Sequence, residues 1–197
     1  PAAGNGIPGY YGSHFPQGPP VNATNPQLRD LEMDALNRIA AAIAETADMA
    51  KALPQVLEIL GNTLGMRYAT LALLNSSAGD ISIDFGHGLT DEQVRRGHYH
   101  LGEGVVGKVA ASGPAAIVPS IAACPDFLNK TGIRSQDASF ICVPVILGKE
   151  TLGTISVDGD CRPEEDLQDD ARFLGVVAAM LGQAIKTRLL LRDSQET

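Results

Sequence analysis

The stretch from Gly102 to Lys108 is spaced like two kinds of phosphate-binding loop. Its three glycines fit G-x-G-x-x-G, and its ends fit most of a Walker loop. A Walker loop holds magnesium through a Ser or Thr after its Lys, but Val109 stands there, and Glu103 would put negative charge where phosphate must lie. The helical pattern that follows is about two turns long, too short for the crossover helix of a dinucleotide fold. We therefore predict a tight turn into a short helix and no nucleotide site.

Two histidines are the first candidates for a metal site. His98 and His100 alternate on a predicted strand, so both side chains point to the same side. A structural zinc ion needs four ligands, yet no third ligand is close in sequence, and Cys124 is separated from the pair by a strand and a loop. We predict no metal site here and a strand edge that faces solvent.

Three cysteines are the candidates for redox chemistry. Cys142 lies in an apolar run and is expected to be buried and unreactive, whereas Cys124 in a long loop and Cys161 in a turn are the two that could react. A cysteine-based redox sensor or enzyme that uses Cys124 is therefore one alternative function. Three cysteines cannot all pair, and the sequence shows neither a secretory signal nor a membrane-spanning stretch, so a cytoplasmic location is predicted.

Composition excludes a direct role in nucleic-acid binding. The 197 residues carry a net charge of −8 and show no cluster of Lys and Arg that could neutralise phosphates. Hydrophobic residues make up 44% of the chain, enough for one well-packed domain with flanking segments. Any contact with DNA would have to come from a part of the protein outside this chain.

The elements that position these residues begin after a tail. Residues 1–25 are rich in Gly, Pro and Asn and are predicted to be a flexible tail. A first helix should begin at Pro26, where Asn25 can cap it. A second helix should end at Gly65, with Pro54 in its first turn.

Strand patterns follow these helices and predict an α+β domain. Two hairpins are expected, together with two short strands around the glycine turn and a short helix that a Thr90–Gln93 capping box begins. The hairpins pair residues 68–74 with 81–85 and 139–147 with 151–158, and the short strands are 98–101 and 115–118. A polar connection over 119–138 is long enough to suggest a function. Strands connected in this way form a central, mainly antiparallel sheet flanked by helices.

A long last helix should begin with acidic residues near Glu164 and run to about Arg192, which leaves 193–197 as a C-terminal tail or linker stub. Its leucines recur every seven residues, and the first helix carries its own apolar stripe. We therefore predict a homodimer through a bundle of the two helices. The predicted seam comprises Leu28, Leu31, Leu36, Ile39, Leu174, Leu181 and Ile185.

Over residues 35–190 the order of these pieces resembles a GAF domain. The resemblance is most specific to the N-terminal regulatory domain of NifA-type activators, the sigma-54-dependent activators of nitrogen-fixation genes. The segments that carry it are Gly102–Gly107, Phe127–Arg134, Ser139–Pro144 and Leu152–Asp158. It implies a GAF-like fold with about six strands, a small-molecule pocket on one face of the sheet, and a sensing rather than a catalytic role for residues 26–192.

The same resemblance implies a ligand region and partners. It places residues 127–139 at the pocket rim, where Arg134, Lys130, Ser139 and Phe140 are candidate ligand-binding residues. Because part of the NifA family is linked with 2-oxoglutarate, a 2-oxoglutarate-like ligand is the candidate, with Arg134 as its carboxylate partner. Arg134 is expected to pack little, so its loss should leave the fold intact. A regulatory protein of the nitrogen-signalling type is a further possible partner.

Two other interpretations remain open. The sensor domains of alternative nitrogenase activators and of the nitrogen-related phosphotransferase enzyme look similar, and the domain could act mainly as a dimerisation module. In that case the pocket would be vestigial and Arg134 a solvated side chain beside it. NifA-type proteins also carry an ATPase domain and a helix-turn-helix after the sensor, which this chain does not contain.

Overall fold

A computed structural model of the protein describes residues 26–195, except for positions 47, 64 and 76. The predicted tail over 1–25 lies outside the described residues. Five helices are described: α1 (Pro26–Glu45), α2 (Met49–Thr63), α3 (Asp91–Arg96), α4 (Gly104–Ser112) and α5 (Glu164–Gln195). The strands are β1 (Tyr68–Asn75), β2 (Asp80–His87), β3 (His98–His100), β4 (Ala116–Val118), β5 (Ala138–Leu147) and β6 (Glu150–Asp160).

The six strands form one sheet in the order β3-β2-β1-β6-β5-β4, and every neighbouring pair is antiparallel. The last strand therefore lies beside the first and joins the two predicted hairpins into a single sheet. This arrangement confirms the predicted α+β architecture on an antiparallel sheet.

Each face of the sheet has its own hydrophobic core. On one face, α1, α2 and α5 pack against every second residue of the central strands, including Ile141, Val143 and Ile155. On the other face, α4 and the loop after β4 cover the alternate residues, including Phe140 and Cys142. The alternation of side chains along a strand thus divides β5 between two different environments.

Local signals explain where α2 and α3 begin and where α4 ends. Thr90 and Gln93 form the predicted capping box of α3. α4 ends at Gly113, whose left-handed backbone allows the helix to stop after nine residues, as predicted. The placement of Pro54 in the first turn of α2 was wrong. The Asp48 carboxylate accepts a hydrogen bond from Ala50 N at 3.0 Å, so α2 begins at Met49 and Pro54 lies in its second turn, where it is exposed.

The helix α5 begins at the predicted acidic residues and extends to Gln195, three residues past the expected end at Arg192. Leu174 and Leu181 have no exposed surface because they pack on the sheet, and Ile39 of α1 is equally buried. The leucines that recur every seven residues therefore face the domain's own core, and their assignment to a dimer seam was wrong. No helix among the described residues has the length and hydropathy that crossing a membrane requires.

Candidate ligand-binding site

The loop over residues 119–137, called the long loop below, passes over the sheet face opposite α5. Its central part is shaped by one side chain, Asn129. The Asn129 Oδ1 atom accepts hydrogen bonds from the backbone N–H groups of Gly132 and Arg134, at 3.1 and 3.3 Å, and its Nδ2 donates to the carbonyl of Arg134 at 2.9 Å. Because the amide bonds backbone groups on both sides of the turn, it fixes the position from which Arg134 leaves the loop.

Arg134 turns inward, and its side chain is only 2% exposed. Nε donates to Asp158 Oδ1 at 3.3 Å, and Nη1 donates to the Thr131 hydroxyl at 3.1 Å. The guanidinium carbon lies 5.0 Å from the ring centroid of Phe140, which is the geometry of a cation–π contact. The expectation that Arg134 packs little was wrong, because the sheet supplies a buried carboxylate 24 residues away in sequence to meet it.

Asp158 is the counter-charge of Arg134 and is also buried, with a side chain that is 3% exposed. Burial raises the pKa of Asp158 to about 6, although Arg134 and Arg67 both favour its ionised form. The loss of hydration thus outweighs the attraction of the neighbouring cations. A buried carboxylate that is incompletely compensated in this way is typical of functional sites.

Aromatic rings form the rest of this interior. Phe127 from the long loop packs edge-to-face on Phe140 with ring centroids 5.0 Å apart. Tyr99 of β3 is 2% exposed, and its burial raises the pKa of its hydroxyl. Val105 of α4 belongs to the same cluster. Protein side chains therefore fill much of the face on which the resemblance predicts a ligand.

Two ion pairs connect the long loop to the glycine turn and to α4. Lys130 Nζ lies 2.8 Å from both carboxylate oxygens of Glu103 and 5.0 Å from the ring centroid of Tyr99. Lys108 of α4 forms an ion pair with one carboxylate oxygen of Asp126 in the long loop. The hydrogen bonds from Lys130 and from the backbone N–H of His100 hold the pKa of Glu103 below its usual value. Lys130 lies at the edge of the predicted site, but a carboxylate already binds its ammonium group.

The glycine turn is shaped by close packing of the backbone. A Cβ atom on Gly107 would lie 2.2 Å from the carbonyl oxygen of His100, so a side chain has no room there. Gly102 and Gly104 have positive φ angles of 83° and 61°. The glycines therefore allow α4 to start directly against the end of β3, in agreement with the predicted tight turn.

The four predicted ligand residues do not all come together. Arg134, Phe140 and Lys130 border the same interior, but Ser139 lies on the opposite face of β5, with the parity of Ile141. Its hydroxyl donates to the carbonyl of Asp160 at 2.8 Å. The grouping of Ser139 with Phe140 was wrong for a simple reason: adjacent residues of a strand point to opposite faces.

Three participants were missed by sequence reasoning: Asp158, Thr131 and Tyr99. For Asp158 a signal was present, because Thr154, Ser156 and Asp158 form a polar row with period two inside an apolar strand. Ser156 shares a 2.6 Å hydrogen bond with Thr70 on the neighbouring strand. Such a row places polar side chains along the middle of the sheet face that Phe140 also occupies. For Thr131 and Tyr99 the sequence carries no comparable signal.

The two histidines lie on a solvent-facing strand edge, as predicted, and two of the three cysteines have the expected exposure. His98 and His100 are exposed on β3, which forms one edge of the sheet, and His98 pairs with Asp80 at 2.8 Å. Among the described residues, no three side chains of the metal-binding types cluster. Burial raises the pKa of Cys142 to about 12, and it also raises the pKa of Cys124, which is buried rather than open to solvent. Cys161 is exposed.

The architecture and the sequence agree with one known family. The model of the GAF domain family matches residues 46–186 of the chain, which includes the whole sheet, the long loop and most of α5. The chain belongs to the GAF domain family. Its sheet, with the long helices on one face and the interior around Arg134 on the other, is thus the GAF fold.

Relatives of this GAF domain are nitrogen-fixation regulators. The chain is 31% identical over 191 residues to the Nif-specific regulatory protein of Azotobacter vinelandii, covering 89% of this chain and 36% of that protein. It is also 31% identical over 160 residues to nitrogen fixation protein VnfA of the same organism, covering 79% of this chain and 31% of that protein. The GAF domain therefore spans about a third of each relative's length.

A solved structure supports the fold independently. The nlh2 GAF domain of A. aeolicus, solved in an inactive state, superimposes with a TM-score of 0.75 at 24% sequence identity, covering 82% of this chain and 99% of that one. At this level of identity the likeness concerns the fold alone. It confirms the antiparallel sheet and its helices.

Proposed function

We propose that this GAF domain is the regulatory, non-enzymatic sensor of a NifA-type, sigma-54-dependent activator of nitrogen-fixation genes. The observation that carries the proposal is its similarity to the Nif-specific regulatory protein over 89% of the chain. The ATPase and DNA-binding output would come from parts of the protein outside this chain. The domain itself would bind a signal and shift between two states, and α5 would pass the change on.

The signal we propose is a small carboxylate of the 2-oxoglutarate type. Arg134 is a buried cation on the ligand face of an acidic protein. Its Nε and Nη1 atoms are used, while Nη2 forms no hydrogen bond with any residue in the described part of the chain. A guanidinium with a donor to spare suits a planar carboxylate. Lys130 would be a second contact only after Glu103 releases it, and Phe140 would contact the ligand's carbon chain.

Catalysis through cysteine is disfavoured by the state of the thiols. Reaction needs a thiolate, and burial raises the pKa of both Cys124 and Cys142. Cys161 is exposed but lies in the turn after β6, where its thiol contacts the carbonyl of Pro119. Neither buried thiol is therefore poised to react, and a sensing role explains the site better.

A second candidate function is a dimerisation module with a filled pocket. The packing of Phe127, Phe140 and Tyr99 on the ligand face favours it. The homodimer itself is compatible with both functions. We propose that it forms through α1 and α5, where a groove of about 310 Å³ is lined mainly by apolar side chains. The residues lining the groove include Leu28, Met33, Leu36, Phe173 and Val176.

Calorimetry with 2-oxoglutarate separates the two candidates. The wild-type domain should bind it, and Arg134→Lys should bind at least about ten-fold more weakly, since a hydrogen bond to a charged group contributes roughly 1.5–3 kcal/mol. Arg67→Lys is the matched control, because Arg67 is exposed and lies outside the interior. Absence of 2-oxoglutarate binding to the wild-type domain would contradict sensing of this ligand and favour the dimerisation module.

A further inference from the structure

We propose that Asp158 is an internal substitute for the ligand, which closes the site by occupying Arg134 until a carboxylate from solution takes its place. The inference rests on the proposed function, because it takes Arg134 as the group that meets the ligand. It adds a mechanism of regulation to that site, in which the empty domain is held closed by one of its own side chains.

The geometry of the pair is the first argument. Asp158 receives one hydrogen bond, from Nε, at 3.3 Å. Charge-assisted bonds of this type are usually about 2.7–2.9 Å long, and Arg commonly binds carboxylates through two parallel bonds. The internal contact is therefore longer and simpler than the contact that a free carboxylate can form. A ligand that reaches Nη2 as well as a second nitrogen would bind more strongly than Asp158 does.

The environment of the pair is the second argument. Both side chains are almost inaccessible, so each charge has lost most of its hydration. The charged groups that act on Asp158 are Arg134 from the long loop and Arg67 just before β1, and together they fail to offset burial, which raises the pKa of Asp158 to about 6. The charge of Arg134 also acts on Tyr99 of β3 and Cys142 of β5, both neutral, while Glu103 of the glycine turn acts on Tyr99. Asp158 is thus the counter-ion of Arg134, but burial destabilises its ionised form.

Arg134 depends less on Asp158 than Asp158 depends on Arg134. Its Nη1 retains the Thr131 hydroxyl, and its charge retains the face of Phe140. Asn129 fixes the backbone of Arg134 through two hydrogen bonds, one to its carbonyl and one from its N–H group, and also accepts a hydrogen bond from Gly132 N. Removal of Asp158 therefore leaves the guanidinium in place and ready to accept another carboxylate.

The position of Asp158 also connects the site to the output helix. It lies two residues before the end of β6, and three residues separate β6 from α5. Its backbone carbonyl accepts a hydrogen bond from Arg67 N at 2.8 Å, so this end of β6 is attached to the start of β1. Release of the Asp158 side chain would loosen the strand end from which α5 begins.

The test compares the wild-type domain with Asp158→Asn, which keeps the shape of the side chain and removes its charge. Calorimetry at pH 7.5 should show 2-oxoglutarate binding about ten-fold tighter or more to Asp158→Asn. Acetate should raise the melting temperature of Asp158→Asn in a saturable way and leave the wild-type domain nearly unchanged. Asp160→Asn is the matched control, since Asp160 is exposed on the same strand and should behave as wild type.

The outcomes separate this inference from the proposed function. Binding of 2-oxoglutarate that is equal in the wild-type domain and Asp158→Asn overturns the inference while the proposed ligand stands. Acetate stabilisation of Asp158→Asn supports the inference even where the wild-type domain binds no 2-oxoglutarate. If Asp158→Asn is unfolded in buffer, restoration of its fold by acetate supports the inference, and failure of acetate to restore it overturns the inference.

Discussion

At the residue scale, the Arg134–Asp158 pair sets the chemistry of the interior. Both charges are nearly inaccessible, yet their surroundings differ. Arg134 has two other partners, Thr131 and Phe140, whereas Asp158 relies on cations alone to oppose its burial. Losing one member of the pair should therefore have different consequences from losing the other.

We expect Arg134→Met to lower the free energy of unfolding by about 3–5 kcal/mol, because it leaves a buried carboxylate without its main counter-ion. Asp158→Asn should have a smaller effect, since the amide oxygen still accepts a hydrogen bond from Nε. Urea denaturation at pH 7.5 measures both. Arg38→Met, at an exposed ion pair with Asp34 on α1, is the control and should change stability by less than about 1 kcal/mol. Equal losses in Arg134→Met and this control would contradict the buried pair.

The raised pKa of Asp158 also predicts a pH dependence with a definite sign. An Asp carboxyl titrates near ~3.9 in the unfolded chain, and at about 6 in the folded domain. Between these values the folded state holds a proton that the unfolded state has released. The stability from this group is therefore present below about pH 4 and is lost as pH rises through about 6.

We accordingly expect the unfolding free energy of the wild-type domain, relative to Asp158→Asn, to fall as the pH is raised from 4.5 to 7.5. Urea denaturation of both proteins across this range gives the difference, which removes the contribution of all other groups. A relative stability that rises with pH would show that Arg134 lowers the pKa of Asp158 more than burial raises it.

The cysteines should differ in reactivity in the order of their exposure. Cys161 is exposed, Cys124 is buried in the long loop, and Cys142 is enclosed in β5 with its pKa raised to about 12. We expect iodoacetamide to label Cys161 first, Cys124 more slowly, and Cys142 only after denaturation. Mass spectrometry of tryptic peptides against time gives the three rates, and Cys161→Ser should remove the fast phase. Fastest labelling at Cys124 would instead support the redox alternative.

At the element scale, α4 and the long loop cover one face of the sheet. Of these, α4 and the glycine turn before it cannot move without a change of packing. Gly107 is in direct contact with the backbone of His100, and Glu103 at the helix start bonds both His100 and Lys130. The turn is thereby connected to the long loop. The close packing of the turn accounts for a glycine pattern that resembles a phosphate loop.

Two glycines of this turn should respond differently to substitution. Gly107→Ala should destabilise the domain by about 1–3 kcal/mol, because its Cβ would lie 2.2 Å from a carbonyl oxygen. Gly102→Asn should cost less, about 1 kcal/mol, because the left-handed φ of 83° strains any side chain but Asn tolerates it better than other residues, and the space around it is open. Thermal unfolding compares the two variants. A larger loss for Gly102→Asn would indicate that backbone conformation, not close packing, requires these glycines.

At the scale of the whole molecule, α1 and α5 present the apolar surface that a second copy could cover. Val176 is 49% exposed and Met33 is 59% exposed at the groove between these helices. Leu174 and Leu181 of the same helix are fully buried in the core. The surface for a partner therefore lies on a different side of α5 from the heptad leucines.

We expect the wild-type domain to be a dimer and Val176→Glu to be a folded monomer, because the charge would be desolvated in the seam. Light scattering at high micromolar concentration measures the mass, and circular dichroism checks the fold. Leu101→Glu, an exposed leucine beside the glycine turn, is the control and should remain a dimer. Leu181→Glu should unfold the domain rather than dissociate it. A wild-type monomer would contradict this interface.

The sequence by itself determined the elements and their order. Alternation located the hairpins, the Thr90–Gln93 box located α3, and Gly113 located the end of α4, because each of these signals depends on neighbours a few residues away. The quoted motifs also sufficed to predict the GAF family.

Only the tertiary structure decided which side chains meet. Arg134 and Asp158 are 24 residues apart, and their contact exists because β6 lies beside β5 under the long loop. Packing also turned Leu181 inward and separated Ser139 from Phe140 across the sheet. A periodic stripe shows that a helix has an apolar side, but not which surface will cover it. That choice is made by the total burial of the domain, a long-range quantity that no local pattern contains.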